Sequence, residues 1–261
     1  MGAVKIHVCS NESESWDILW KWLWFTREMW ESNYWREEQI ALKPVFHLLS
    51  KFEVKSILDC SCGLGYKTVL LAKAGYEVEG SDASAVAIKY APQLARDEGV
   101  KIRFFRSRYE ELDEKCKRKY DCVWSDNFDE ISTYNYLRAA ARSIYSILNH
   151  DGRFVFSATP EKDLKKTIEK EWRRRKRFHI DPPFEKGSVK VTRIEVAEKT
   201  PEGILENNIF LIEEQGKLRA EIASIMNPRI KWTFKDFNKI LKEAGFREVY
   251  INKENCIVAA K

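Results

Sequence analysis

The chain has 261 residues, 44% of them hydrophobic, and a formal net charge of +5. This length suits one large domain or one domain with an inserted subdomain, and the modest charge does not indicate a nucleic-acid-binding protein. Six scattered cysteines are typical of reduced thiols in a cytoplasmic protein. Four dispersed histidines, and a Cys60-Ser61-Cys62 spacing too short for zinc, predict no metal site.

The first 50 residues are rich in tryptophan, with six of the nine between Trp16 and Trp35. The spacing of these rings predicts a helix that opens at Trp16 and is capped by Ser13 or Ser15. A later helix, over about 37–49, should bend or break at Pro44. No apolar run approaches the roughly 18 residues of a membrane span, so no membrane association is expected. We therefore expect residues 1–50 to form a helical cap.

Residues 51–160 alternate short apolar strands with helices. Ile57-Leu58 begins a strand, Gly63-Leu64-Gly65 forms a turn before a helix, and a second strand ends at Asp82. Three further strands are predicted at 101–105, 120–124 and 153–157, with helices between them. This order predicts an α/β fold with a doubly wound, Rossmann-like parallel sheet.

The pattern changes after this core. Residues 160–177 read as a charged, strongly basic helix, and three alternating runs at 189–197, 204–213 and 217–225 predict an antiparallel meander. We therefore expect 161–231 to be an inserted helix and antiparallel β lid. A final helix and two strands, in 232–261, should complete a seven-stranded core sheet.

The turn after the first strand indicates which ligand it binds. Thr68 stands where a dinucleotide fingerprint has its third glycine, and the carboxylate of Asp59 would repel a pyrophosphate. S-adenosylmethionine has no phosphate and carries an ammonium and a sulfonium, which suit an acid, and Asp82 is placed to accept from ribose hydroxyls. Ligands bind outside the carboxyl ends of the strands in open parallel sheets. The segments that follow the first four strands should therefore share one pocket: 59–65, 82–84, 107–109 and 125–127.

The acid, the two glycines, the helix and Asp82, in this order, resemble a class I S-adenosylmethionine-dependent methyltransferase. LDCSCGLGYKT, GSDAS, the Ser125-Asp126-Asn127 turn, the meander and the final segment are similar to small-molecule N-methyltransferases of the glycine and sarcosine type. The resemblance implies an enzyme that converts S-adenosylmethionine to S-adenosylhomocysteine. It also implies cofactor contacts from residues at the strand ends: Asp59, Ser61, Gly63, Gly65, Asp82, Ala83, Ser84, Arg108, Tyr109 and Ser125.

Two departures concern the substrate and the adenine. Arg108 stands where many relatives have an acceptor for the adenine amino group, and residues 157–160 lack the arginine that often binds a substrate carboxylate. The expected substrate is a small-molecule amine, enclosed between the aromatic helices and the meander. Asp126, Asn127 and Tyr34 are the candidates for orienting it, and the rings of Trp30 and Trp35 are candidates for its walls.

Two other functions are open. The basic 162–177 helix favours methylation of RNA or protein, and a cofactor-binding protein without catalysis would keep the glycines but turn over no amine. The sequence also leaves a homo-oligomer open. Two variants carry expectations: Gly65→Val should block the cofactor while leaving the fold intact, and deletion of 1–30 should abolish turnover while sparing part of the cofactor affinity.

Overall fold

A computed structural model describes residues 4–157, 163–253 and 255–261. The chain separates into two compact units, one of residues 33–164 and 231–261 and the other of residues 1–32 and 165–230. We call them the core unit and the insertion unit. The N-terminal segment and the insertion, expected as separate regions, thus share one unit, whereas residues 33–50 belong to the core unit.

The helices and strands follow the chain as listed here. The helices are α1 (Glu12–Phe25), α2 (Glu31–Ala41), α3 (Lys43–Lys51), α4 (Tyr66–Lys73), α5 (Ala85–Asp97), α6 (Leu112–Lys115), α7 (Tyr134–Ile147), α8 (Leu164–Arg174) and α9 (Phe234–Ala244). The first strands are β1 (Lys5–Val8), β2 (Ser56–Asp59), β3 (Glu77–Asp82), β4 (Arg103–Arg106), β5 (Tyr120–Ser125) and β6 (Leu148–Ser157). The later ones are β7 (Phe178–Ile180), β8 (Phe184–Lys186), β9 (Val189–Thr200), β10 (Gly203–Glu214), β11 (Lys217–Arg229), β12 (Glu248–Ile251) and β13 (Cys256–Ala260).

The core unit is built on a seven-stranded sheet in the order β12-β13-β6-β5-β2-β3-β4. Strands β2 to β6 run parallel to one another, whereas β13 pairs antiparallel with β6 and β12 antiparallel with β13. The chain runs outward from β2 through β3 to β4 and then returns to β5 on the other side of β2. This reversal confirms the predicted doubly wound Rossmann-like fold, and it opens a crevice between the ends of β2 and β5.

Alternation along the strands gives the sheet two buried faces. Leu58 and Val123 pack with residues of α7 and α9, whereas Ile57 and Trp124 pack with residues of α3 on the other side. Successive side chains of a strand point to opposite faces of the sheet. Where helices cover both faces, neighbouring residues of the strand are therefore all apolar. Short continuous apolar strands of this kind are typical of a parallel sheet.

The insertion unit contains the predicted meander, β9-β10-β11, extended by β7, β8 and β1. Helix α1 packs on it: the indole Nε1 of Trp22 donates to Glu221 Oε2 at 2.7 Å, and its ring lies 6.2 Å from that of Phe210. Leu19 and Trp22 are buried together with residues of β9, β10 and β11. Part of the aromatic cluster is therefore the core of this unit.

Several predicted boundaries are wrong near the N-terminus. Helix α1 begins at Glu12 because Asn11 is its cap, accepting from the Glu14 N–H, while Ser15 instead accepts from the Ser224 N–H. The helix predicted over 37–49 is interrupted as expected, but the break lies at Leu42, and Pro44 is in the first turn of α3, where a missing N–H costs nothing. Strand β1 was not predicted.

The basic helix is shorter than predicted: α8 spans Leu164–Arg174, and the start expected at Pro160 lies outside the described residues. Residues 158–160, which the sequence analysis searched for a substrate arginine, lie there too. In the described part of the chain, no helix is long and apolar enough to cross a membrane.

Candidate active site

The turn after β2 is shaped by two glycines in the left-handed region. Gly63 has φ of 50° and Gly65 has φ of 94°, and Gly65 precedes the first turn of α4. A Cβ on Gly65 would lie 3.1 Å from the Cβ of Ala91 and 3.3 Å from the ring of Phe104. Both the backbone conformation and the packing therefore oppose the expectation that Gly65→Val leaves the fold intact, because any side chain is strained here.

The carboxylate of Asp82 ties the ends of β2 and β3 together. Its Oδ2 accepts from the Gly63 N–H at 2.9 Å, and its Oδ1 accepts from the Ser84 N–H at 2.8 Å. The backbone carbonyl of Ala83 accepts a hydrogen bond from the guanidinium of Arg106. An ionised carboxylate accepts about four hydrogen bonds, so these two orient it and are compatible with acceptance from ligand hydroxyls.

Asp59 lies beneath the same turn and is 2% exposed. The Thr68 hydroxyl donates to Oδ2 at 2.7 Å, and the Ser61 N–H donates to Oδ1 at 3.3 Å. Burial raises the pKa of Asp59 to about 7, and these hydrogen bonds only partly oppose that rise. Thr68, noted in the sequence only as a missing glycine, thus positions the carboxylate.

Hydroxyl groups connect the ends of three strands across the crevice. Ser125 Oγ lies 3.1 Å from Ser61 Oγ and 2.9 Å from the hydroxyl of Tyr109. Ser61 Oγ also accepts from the Asp126 N–H, and Ser125 Oγ from the Asn127 N–H. This network fixes the loop after β5 relative to the turn after β2.

The segment after β4 reaches the same place. The Ser107 N–H donates to the carbonyl of Asp82 at 3.0 Å, and Arg108 precedes a single 3₁₀ turn over Tyr109–Glu111. Burial raises the pKa of Tyr109 well above its ordinary value, and its ring meets Phe128 edge-on at 5.8 Å. Tyr109 is therefore held rigidly by its hydroxyl and its ring, whereas Arg108 is exposed.

An ion-pair cluster of Lys67, Glu38 and Asp126 adjoins this crevice. The ammonium of Lys67 contacts Glu38 Oε2 at 3.0 Å and the carboxylate of Asp126. Although burial lowers the pKa of Lys67, the two carboxylates outweigh it and raise that pKa above its ordinary value. We call these three residues the charge cluster.

Aromatic rings surround the charge cluster on the side of α2. Burial, together with the charges of Glu38 and Asp126, raises the pKa of Tyr34, so its hydroxyl stays protonated at neutral pH. The rings of Tyr34 and Trp35 meet that of Tyr66 at 5.0 and 4.6 Å between centroids.

The structure brings most of the predicted site residues together. The ten cofactor candidates lie at the ends of β2, β3 and β5 and after β4, while Tyr34 and Asp126 adjoin the charge cluster. Asn127 donates through Nδ2 to Glu130 at 3.3 Å. Trp30 lies in the insertion unit, where its Nε1 donates to the carbonyl of Leu23 at 3.2 Å.

Sequence reasoning missed Lys67 and Glu38. A lysine directly after the glycine turn, in a helix start that is otherwise buried, was the available signal for Lys67. Glu38 offered none, since it lies among exposed polar residues of α2.

Residues 57–152 match the protein family described as Methyltransferase domain. This chain carries a class I S-adenosylmethionine-dependent methyltransferase domain. The resemblance seen in the sequence is thereby confirmed. The match covers β2 to the start of β6, which includes every strand-end residue described above.

Curated relatives share parts of this chain. A putative methyltransferase from Geobacillus is 30% identical over 135 residues, covering 51% of this chain and 53% of the relative. The ubiquinone biosynthesis O-methyltransferase of Rickettsia canadensis is 40% identical over 34% of this chain and 36% of its own. The glycine/sarcosine N-methyltransferase of Aphanothece halophytica is 24% identical over 41% of each chain. The matches thus span about a third to a half of the length of these relatives.

Among solved structures, the sugar N-methyltransferase KedS8 from Streptoalloteichus superposes with a TM-score of 0.60. The superposition covers 82% of this chain and 84% of the other at 14% identity, so it shows a shared fold. S-adenosylmethionine is the cofactor of the methyltransferase domain. The donor set fits it, because an oriented carboxylate at the end of β3 suits ribose hydroxyls.

Proposed function

We propose that this protein transfers the methyl group of S-adenosylmethionine to the nitrogen of a small-molecule amine. The observation that carries the proposal is the charge cluster, in which two carboxylates face one ammonium. Its net charge of about −1 at neutral pH favours a cationic ligand over an anionic one. The rings of Tyr34, Trp35 and Tyr66 beside it add faces that attract a cation.

For the cofactor, we assign the ribose to Asp82 and its neighbours Ala83 and Ser84. The methionine moiety would pass the turn of Gly63 and Gly65, with Asp59 and Ser61 below it. Arg108, Tyr109 and Ser125 would flank the adenine. When bound, the cofactor supplies a methyl carbon that its sulfonium already activates.

The task left to the protein is to position the nucleophile and keep water out, since the transfer is an in-line displacement. We assign the orientation of the amine to Asp126 and Asn127, with the neutral hydroxyl of Tyr34 as a hydrogen-bond partner. The nitrogen must be neutral when it attacks, so an ammonium substrate first loses a proton, which Asp126 or water can accept. The ion pair with Lys67 holds the carboxylate of Asp126 in place for that role.

The rival function, methylation of RNA or protein, rested on the basic helix. In the structure the guanidinium of Arg175, just after α8, pairs with Glu195 at 3.1 Å and with Glu206. Arg177 lies over the ring of Trp172 at 4.9 Å. These two arginines are engaged within the insertion unit, which favours a structural role for them over contact with phosphates. A cytoplasmic location and a homo-oligomer stay predictions.

The test is incubation of the protein with methyl-labelled S-adenosylmethionine and fractionated cell extract. We expect label in a cationic small molecule that cation-exchange chromatography separates from the unreacted cofactor, which is itself a cation. Asp82→Ala serves as a control that should lose the labelling through the cofactor. Label in oxygen-linked esters or ethers would overturn the amine, and label in RNA or protein would overturn the small molecule. No label in any fraction, with S-adenosylhomocysteine still bound, would support the non-catalytic protein.

A further inference from the structure

Three potential metal ligands from the N-terminal segment meet in the insertion unit. His7 lies on β1, Cys9 follows that strand, and Glu14 lies in the first turn of α1. One ligand atom from each of the three lies within 4.8 Å of the others. We call these residues the His-Cys-Glu cluster. The sequence analysis expected no metal site because it treated the histidines and cysteines as dispersed.

The backbone explains why the three converge. Residues two apart on an extended chain point to the same side, so His7 and Cys9 share a face. The extended pairing with β11 continues past the end of β1, since the Cys9 N–H donates to the carbonyl of Ile222 at 2.9 Å. The chain then turns at Asn11, the cap of α1, which brings Glu14 back over His7.

The carboxylate of Glu14 is oriented by its surroundings. Its Oε2 accepts from the Ser10 N–H at 2.7 Å and from the Ser10 hydroxyl at 2.9 Å, and its Oε1 lies 2.9 Å from Nε2 of His7. Hydrogen bonds to the second oxygen of a ligating carboxylate are typical of the outer shell of metal sites, where they fix the ligand.

We propose that His7, Cys9 and Glu14 bind a first-row divalent transition metal, with Zn²⁺ as the preferred ion. Imidazole nitrogen, thiolate sulfur and carboxylate oxygen are the three protein donors that zinc uses. Ligand atoms around a tetrahedral zinc lie roughly 3.3–3.8 Å apart, given bond lengths of about 2.0–2.3 Å. Side-chain movements on the order of 1 Å would close the cluster to that geometry. The thiol of Cys9 releases its proton to solvent as the bond to the metal forms.

A metal-free explanation covers only part of the cluster. His7 and Glu14 could form a surface ion pair, and His7 is 53% exposed, so such a pair contributes little. That pair does not involve the thiol of Cys9, which is half-buried and hydrogen-bonds with the side chain of Ser15. Three donors leave the fourth position to water, as in the open sites of catalytic zinc proteins. The bound ion would join the edge strand β1 to the start of α1.

The test is a titration of the full-length protein with Co²⁺, followed by competition with Zn²⁺. Co²⁺ bound to a thiolate shows a sulfur-to-metal charge-transfer band in the near ultraviolet, and Zn²⁺ should abolish it at one equivalent. We expect Cys9→Ser to lose the band, and His7→Asn and Glu14→Gln to weaken Zn²⁺ binding at least tenfold. Cys116→Ser is the matched control, because Cys116 is also half-buried but lies in the core unit. It should behave like the wild type.

Circular dichroism of each variant checks that the fold is retained, which we expect because all three side chains are at the surface or half-buried. A Co²⁺ complex without the sulfur band would overturn the proposal. So would a Cys9→Ser variant that binds Zn²⁺ with wild-type stoichiometry and affinity, or a wild-type protein that binds no Zn²⁺ under conditions where it is folded.

Discussion

Replacing Lys67 by methionine should destabilise the core unit strongly. Methionine keeps the apolar stem of the side chain but removes the ammonium from between Glu38 and Asp126. The side chain of Glu38 is 7% exposed and that of Asp126 is 34% exposed. The loss therefore falls mainly on Glu38, since water can solvate Asp126.

The expected magnitude follows from the geometry of the pair. Two unit charges 3.0 Å apart attract each other by about 5.5 kcal/mol at an effective dielectric constant of 20. Removing one partner of a buried pair costs roughly 3–5 kcal/mol, because the other charge is left uncompensated. Protonation of Glu38 or Asp126 limits that cost, so we expect the free energy of unfolding to fall by roughly 3 kcal/mol near pH 8.

The pH dependence has a definite sign. In the wild type the raised pKa of Lys67 stabilises the fold below the ordinary lysine pKa, and this stabilisation is lost only as the pH rises through the higher, folded value. In Lys67→Met the buried carboxyl of Glu38 has no partner, and protonation at lower pH removes the cost of keeping it charged, so we expect the stability of the variant to fall as the pH rises from 5 to 8. The difference between the two proteins should thus be smaller at pH 5 than at pH 8.

Lys73→Met is the matched control. Lys73 is on the same helix and pairs with Glu98, but the two side chains are 43% and 28% exposed. Its replacement should cost less than about 1 kcal/mol at either pH. Urea unfolding followed by circular dichroism measures all three proteins. Equal losses for the two variants, or a loss from Lys67→Met that does not change with pH, would refute the reasoning.

Three further predictions concern the turn at the ends of β2 and β3. Asp82→Ala should weaken binding of S-adenosylhomocysteine at least tenfold in calorimetry, since charge-assisted hydrogen bonds are worth roughly 1.5–3 kcal/mol each and about 1.4 kcal/mol is a factor of ten. The control variant Asp97→Ala, at an exposed residue, should bind normally. Equal affinities of the two variants would mean that the ribose binds elsewhere. Asp59→Asn should gain stability relative to the wild type as the pH rises through about 7. Because the pKa of the Asp59 carboxyl is raised in the folded protein, its contribution to wild-type stability is complete only below the unfolded pKa and is lost as the pH rises through the folded value. Parallel urea curves from pH 5 to 8 would contradict this. Gly65→Ala should lower the melting temperature more than Gly75→Ala. The two glycines have nearly the same φ, 94° and 93°, but of the two only Gly65 has close neighbours that a Cβ would meet. Equal shifts in melting temperature would mean that φ alone determines the loss of stability.

The core fold could be predicted because its signals are local. Ile57 and Leu58 are apolar, next to each other and followed by Asp59 and a glycine turn, which only a buried strand entering a helix explains well. Each later strand repeats this local pattern, and the handedness of parallel crossovers then leaves few topologies. The class I part of the family resemblance rested on Asp59, the glycine turn and Asp82, and the matched region, 57–152, includes all of them.

The charge cluster could not be predicted because its members come from three distant segments. Glu38 belongs to α2, Lys67 to α4 and Asp126 to the loop after β5. Asp126 was noticed because it follows a strand, where a ligand is expected. Lys67 follows the glycine turn, but nothing in the sequence indicates its partners, and Glu38 has no local pattern that sets it apart. Their pairing depends on how α2 packs, which no periodicity in the sequence encodes.

The aromatic segment shows how a correct local signal can leave the role of its side chains open. The spacing of its tryptophans indicates a helix, and α1 is one, but the sequence could not say what its apolar face covers. Trp22 is 4% exposed and packs with Phe210, and Leu19 is buried in the same cluster. Deleting 1–30 would remove these side chains from the core of the insertion unit, so a loss of turnover would follow from unfolding alone. Enclosure of an amine is therefore better tested at Trp35, which lies in the core unit against Tyr66 and contributes nothing to that core.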